Sequence, residues 1–121
     1  MNQIQNTKIY NLEDRTYVFS QKCRDFVYKL PKNIPYTEYS KQLIRSSGSQ
    51  AANYIEANES LSKRDFILRV KICRKEAKES RLWLRLCDIG NNESLKKEQL
   101  TLIDEAIQLT KIFSSIIEKS K

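Results

Sequence analysis

The sequence predicts an all-α protein, an antiparallel up-down four-helix bundle, and three observations carry that expectation. Only two glycines and two prolines occur in 121 residues, too few for the turns of a β-sandwich or barrel of this length. Apolar residues recur at three- and four-residue spacings through most of the chain, the period of a helix with one buried face. The breaker residues Pro31, Pro35 and Gly90 fall between those periodic runs. With 40% apolar and 31% charged residues, the chain has enough for one core and a well-solvated surface, so one domain over residues 1–121 is expected.

Helix 1 is expected over about 13–30. Asn11 is its cap candidate and Glu13 and Asp14 are acids in its first turn. Phe19, Cys23, Phe26 and Leu30 step by four, three and four, and Pro31 ends the run. Pro35 opens a second helix near 36–58. Ser60 or Ser62 caps the third, expected over 63–89, with Ser62 and Asp65 resembling a capping box. Gly90 suits a left-handed stop, Asn91 and Asn92 form the loop, and helix 4 covers about 94–119. Short connections force neighbouring helices antiparallel. There is no internal repeat or low-complexity segment.

The formal net charge is +7, which favours polyanionic partners. Three cysteines, Cys23, Cys73 and Cys87, have neither the even number nor the close spacing of a disulfide framework or a zinc site. Each lies among apolar residues, as a buried reduced thiol would. Met1 to Thr7 are polar and lack the apolar core of a secretion signal, and no stretch is apolar enough for a membrane span. The expected compartment is the cytoplasm.

Helix 3 divides into three sectors. Phe66, Val70, Cys73, Ala77, Ser80, Leu84 and Cys87 form the seam toward the other helices. Lys71, Arg74, Lys75, Lys78, Arg81 and Arg85 occupy a separate third of the circumference with no acid among them. This strip is the candidate nucleic-acid contact; the alternative is a solvated outer face. No aromatic interleaves with its cations, so phosphates rather than stacked bases are the expected ligands. Ile72, Glu76, Glu79, Trp83 and Leu86 form the third strip. It is either a widening of the bundle core or a contact with another subunit.

Helix 2 carries an uncharged waist, Ser46 to Ile55, dominated by small residues. Gly48 there costs about 1 kcal/mol relative to alanine, a cost that close approach of another backbone explains. Gly48, Ser49, Ala51 and Ala52 cover more than one face, one for the core and one for a neighbour. Arg45, Ser49, Asn53 and Glu56 share a stripe. A network in which Arg45 meets Glu76 or Glu79 while Asn53 orients it is expected; the alternative is that these groups meet water. The candidate subunit interface is therefore Arg45, Gly48, Ser49, Ala52, Asn53, Glu56, Ile72, Glu76 and Trp83. Helix 4 presents Leu102, Ile103, Ala106, Ile107, Leu109, Phe113, Ile116 and Ile117, a wide sector suited to burial.

No catalytic residues, metal ligands or cofactor are expected. The chain contains no histidine, which removes the common general base, the Ser-His and Cys-His pairs and the Glu-x-x-His ligands of di-metal bundles. Its two glycines lie too far apart for a phosphate loop.

Two segments carry a family resemblance. Gln42-Leu43-Ile44-Arg45-Ser46-Ser47-Gly48-Ser49, followed by Ala52-Asn53-Tyr54-Ile55-Glu56-Ala57, is one; Lys75-Glu76-Ala77-Lys78-Glu79-Ser80-Arg81 before Trp83-Leu84 is the other. They resemble the signature of the four-helix-bundle proteins encoded within intervening sequences of bacterial 23S ribosomal RNA genes. The likeness runs from about Ile9 into helix 4. The helix 2 motif often reads Asn-Ile-x-Glu-Gly, from which Tyr54 and Ala57 depart. Asn53 and Glu56 match the polar positions of the first motif, and Glu76 the acidic position of the second. The resemblance implies a ring of five subunits without enzymatic activity. A related protein is the accessory variability determinant of diversity-generating retroelements, a basic pentamer that works with a reverse transcriptase and nucleic acid. Two functions follow as expectations: a homo-oligomeric scaffold that binds RNA or DNA through phosphates, or a protein-interaction adaptor, for instance for a reverse transcriptase. No membrane partner is expected.

Overall fold

The computed structural model of the protein describes residues 11–121. The polar segment Met1 to Thr7, and Ile9 where the family likeness begins, lie outside the described residues. Four helices follow one another: α1 over Leu12–Tyr28, α2 over Ile34–Asn58, α3 over Lys63–Leu86 and α4 over Glu93–Ser120. The described residues contain no strand. Neighbours in sequence are neighbours in space, α4 returns to α1, and the diagonal pairs bring no backbone segments close, although the Tyr54 ring of α2 meets the Phe113 ring of α4 across the core, centroids 6.2 Å apart. The result is an antiparallel up-down bundle. Its thinnest contact is between α1 and α4.

Side chains set each helix start. Asn11 Oδ1 accepts from the Asp14 amide at 2.8 Å, and Ser62 Oγ, rather than Ser60, accepts from Asp65 at 3.1 Å. Two further asparagines act in the same way: Asn33 Oδ1 caps the Tyr36 amide at 2.9 Å and Asn92 Oδ1 the Leu95 amide at 3.0 Å. They begin α2 at Ile34 and α4 at Glu93, ahead of the expected starts. Pro35 needs no hydrogen-bond partner in the first turn of α2.

Two helix ends differ from expectation. α1 stops at Tyr28 rather than 30, because a residue preceding proline is pushed out of the α region and Leu30 precedes Pro31. Leu30 is instead buried beyond the helix end. α3 stops at Leu86 rather than 89, and Cys87 is extended, with ψ 129°. The side chain of Gln99 in α4 replaces the missing helical bonds: its Nε2 donates to the Leu84 carbonyl at 2.8 Å and the Cys87 carbonyl at 3.1 Å. Gly90 is left-handed, φ +65°, as expected. It belongs to the connection rather than to the end of α3, and its amide donates to Asp88 Oδ1 at 2.9 Å.

The core combines Phe19, Cys23 and Phe26 of α1 with Leu43 of α2, Val70, Cys73, Ala77 and Leu84 of α3, and Leu102, Leu109, Phe113 and Ile117 of α4. All three cysteines are reduced and buried. Polar groups also enter the core. Gln50 donates to the Thr16 carbonyl at 2.8 Å, joining α2 to α1, and Ser20 donates to the Ser47 carbonyl at 2.8 Å. The outer α1–α4 seam is closed by the paired hydrogen bonds of Arg15 to Glu105, both 2.8 Å, and by Lys29 to Glu98 at 3.0 Å. No described helix is long and apolar enough to cross a membrane.

Candidate nucleic-acid and subunit surfaces

The basic strip of α3 forms one continuous surface. Lys71, Lys75, Lys78, Arg81 and Arg85 are exposed and Arg74 is half-buried. Lys71, Arg74, Lys75 and Lys78 line a single shallow depression with Glu79 and Leu82. Among the described residues, the strip's one ion pair is Lys75 Nζ to Glu76 Oε2, at 3.9 Å. The other five cations keep their charge available to a ligand. The surface also extends further than expected. Lys63, Arg64 and Lys71 share a depression with Lys121 at the end of α4. Lys63 and Arg64 follow the same wheel as the six residues already named, and their sector could have been read from the sequence. The proximity of Lys121 could not, since it depends on the antiparallel return of α4.

The opposite edge of α3 packs on α2 and brings together part of the expected polar network. Asn53 engages Arg69 rather than the expected pairing of Arg45 with Glu76 or Glu79: Arg69 Nη1 donates to Asn53 Oδ1 at 2.9 Å. Asn53 Nδ2 donates in turn to the Ser49 carbonyl at 3.0 Å and to Ser49 Oγ at 3.2 Å. Arg45 is exposed and forms no ion pair among the described residues. Arg69 faces α2 on the α3 wheel, whereas Glu79 points to solvent and Glu76 turns inward, which is why the expected pairing does not form within one chain.

Glu76 is only 9% exposed. Its Oε1 and the indole Nε1 of Trp83 are both buried without a hydrogen-bond partner among the described residues. Burial raises the Glu76 pKa, and neighbouring Glu79 raises it further; Lys75 and Arg45 pull it back down. Trp83 is half-buried, packs against the core and stacks on Tyr39 of α2, ring centroids 6.0 Å apart. Its ring therefore widens the bundle core. Ile72 is half-buried as well, while Leu86 stays exposed.

The waist of α2 serves two sides. Ser46, Ser47 and Gln50 are buried, whereas Ala52 and Ile55 are exposed and Gly48, Ser49 and Ala51 lie between. A methyl group added at Gly48 would meet nothing within 4 Å. No described segment of this chain makes the close approach expected there. Gly48 floors a shallow groove between α1 and α2, edged by Tyr17, Arg24 and Ile44. Glu56 is exposed at the end of the same stripe.

Burial holds the thiols protonated: Cys87 is pushed up to about 11, Cys73 to about 12 and Cys23 further still. No group of three or more metal-binding side chains converges among the described residues.

The model of the 23S rRNA-intervening sequence protein family matches residues 10–115. No curated protein matches the chain. A solved structure from Bacteroides thetaiotaomicron VPI-5482, described as a protein with unknown function from the S23 ribosomal protein family, is similar in fold. It is 26% identical, with a TM-score of 0.74, and the match covers 88% of this chain and 98% of that one. Four packed helices, the two α2 and α3 motifs and the match over 10–115 lead to one assignment: the chain belongs to the 23S rRNA-intervening sequence protein family.

Proposed function

We propose that this protein is a non-enzymatic, self-assembling basic bundle, a scaffold whose subunits use α3 to hold RNA or DNA by its phosphates. The observation that carries the assembly is the outer face of α2. It is uncharged and small from Ser46 to Ile55, and its glycine faces open space. A second copy packed along α2 supplies the cover that such a face lacks in one chain. The pentameric number follows from the family likeness. The nucleic-acid role is supported by the acid-free strip of α3, whose cations are nearly all without a carboxylate partner.

Repeating that strip around a ring multiplies weak phosphate contacts into useful avidity. The role is that of an accessory factor, with a polymerase such as a reverse transcriptase as an additional protein partner. The absence of histidine from the whole chain supports a non-catalytic reading. Filter binding at low and moderate salt tests the nucleic-acid part. Affinity falling steeply with salt supports it, and affinity unaffected by salt contradicts it.

A further inference from the structure

We infer that the outer face of α2 docks on α2 of a second copy, laid antiparallel across a two-fold axis at the level of Gln50, an inference that rests on the self-assembly reading above. A line of residues turned away from the bundle runs along this helix: Lys41, Arg45, Gly48, Ala52, Ile55 and Glu59. They step by four, three, four, three and four, and at about 100° per residue they fall within about 80° of one another. That is the period of a seam between two packed helices, and it lies opposite the core residues Leu43 and Gln50.

The seam is complementary to its own reverse. In an antiparallel pair, positions equidistant from residue 50 lie opposite one another, and a two-fold contact makes each such meeting twice. Lys41 of one copy then lies opposite Glu59 of the other, Arg45 opposite Ile55 with Glu56 beside it, and Gly48 opposite Ala52. Ile44 and Ile55, 47% and 48% exposed, are both on the edge of α2 toward α1, so the two-fold brings Ile44 of one copy beside Ile55 of the other. At the centre, the open space at the Cβ position of Gly48 admits the Ala52 methyl group.

Charge selects this occupant and its direction. Lys41 and Arg45 lie in the first half of α2, and Glu56 and Glu59 at its end. None of the four forms an ion pair among the described residues. Within one chain the arrangement is unfavourable: like charges sit one turn apart, and the acids lie at the negative end of the helix dipole. An antiparallel copy sets each cation beside a carboxylate, whereas a parallel copy sets like beside like. The two acids also repel a phosphate backbone from this face. Because the contact closes on two chains, a ring of five closed through other faces would be joined by α2 to a second ring.

Lys41 and Glu59 are about 27 Å apart along one helix, so they act on each other only across the contact. Light scattering over a dilution series at low salt, on the full chain and its variants K41E, E59K and K41E/E59K, tests the inference, with helix content checked by circular dichroism. Each single reversal sets like charges opposite one another at both ends of the contact. It needs about tenfold higher concentration to reach the wild-type mass, and the double exchange restores the wild-type behaviour. Single variants that assemble as the wild type does, or a double variant no better than the singles, overturn the antiparallel α2 contact and leave self-assembly standing. A wild-type chain that stays at 14.3 kDa throughout the series overturns both.

Discussion

The hydroxyls of Ser46 and Ser80 lie 2.8 Å apart in the buried contact between α2 and α3. Ser80 also donates to the Glu76 carbonyl at 2.9 Å, shorter than the 3.4 Å from Ser46 to the Leu43 carbonyl, which favours the Ser46 hydroxyl as the donor between the two serines. Small side chains at both positions let the helices approach, and the hydrogen bond satisfies polar groups that water does not reach. Replacing Ser80 by alanine leaves the Ser46 hydroxyl only the longer bond to the Leu43 carbonyl, 3.4 Å, and lowers unfolding free energy by about 1 kcal/mol. Alanine at both positions costs less than the sum of the single changes, by about 0.5–1 kcal/mol in a double-mutant cycle followed by urea denaturation. Strict additivity would separate the two serines energetically.

Gln99 is a helix terminator placed in a different helix. Its amide holds the Leu84 and Cys87 carbonyls where α3 stops. Gln99→Leu fills similar space and leaves both carbonyls unpaired, at a cost of about 2–3 kcal/mol measured by denaturant unfolding. An unaffected midpoint would mean that α3 ends for another reason.

How much of this was legible beforehand depended on whether a residue answers to its own helix or to a neighbour. The α3 wheel placed Val70, Cys73, Ala77, Ser80 and Leu84 in the core because burial there follows the helical period. It separated the basic strip for the same reason. The end of α3 was misplaced because Gln99, twelve residues beyond Cys87, supplies the carbonyl partner. Asn53 was correctly marked as a member of a polar network and wrongly paired, because its partner is chosen by how α2 and α3 pack in register. Gln50 and Thr16 escaped notice entirely: a glutamine in an apolar stripe carries no periodic signal distinguishing it from a surface one.

The three thiols should be inert in the native protein. Each is buried and holds its proton above the ordinary value of 9.0, up to about 11 for Cys87 and about 12 for Cys73, so the reactive thiolate is scarce. A disulfide reagent at mildly alkaline pH labels none of them until denaturant is added, and then labels all three. Rapid stoichiometric labelling of the folded chain contradicts the packing described above.

Acid should relieve strain at Glu76. Its folded pKa lies above 4.5 through burial and the nearby Glu79 carboxylate, partly offset by Lys75 and Arg45. The folded subunit thus binds that proton more tightly than the unfolded chain. Its contribution to subunit stability is least favourable above the folded pKa, rises as pH falls through that value, and is fully gained below about 4.5. Glu76→Gln removes this dependence and stabilises the dilute, dissociated subunit at neutral pH. Urea titrations of both proteins across that range measure it; a parallel pH dependence in the variant would assign the effect elsewhere.

Substitution at Gly48 distinguishes effects on the subunit from effects on the proposed assembly. Alanine there meets no neighbour within 4 Å in one chain, and it stabilises a helix interior by up to about 1 kcal/mol over glycine. Gly48→Ala accordingly strengthens the isolated subunit and, in the proposed assembly, weakens association, because the added methyl would enter space that an adjoining copy takes there. Wild-type stability with unchanged association would free Gly48 from any interface role.

Light scattering on the purified wild-type chain at micromolar concentration decides the matter of cover over α2. A mass several times the 14.3 kDa of one chain is the outcome required if another copy seals the Ser46–Ile55 face. A monodisperse species of 14.3 kDa would leave that face open to water and contradict the proposed assembly.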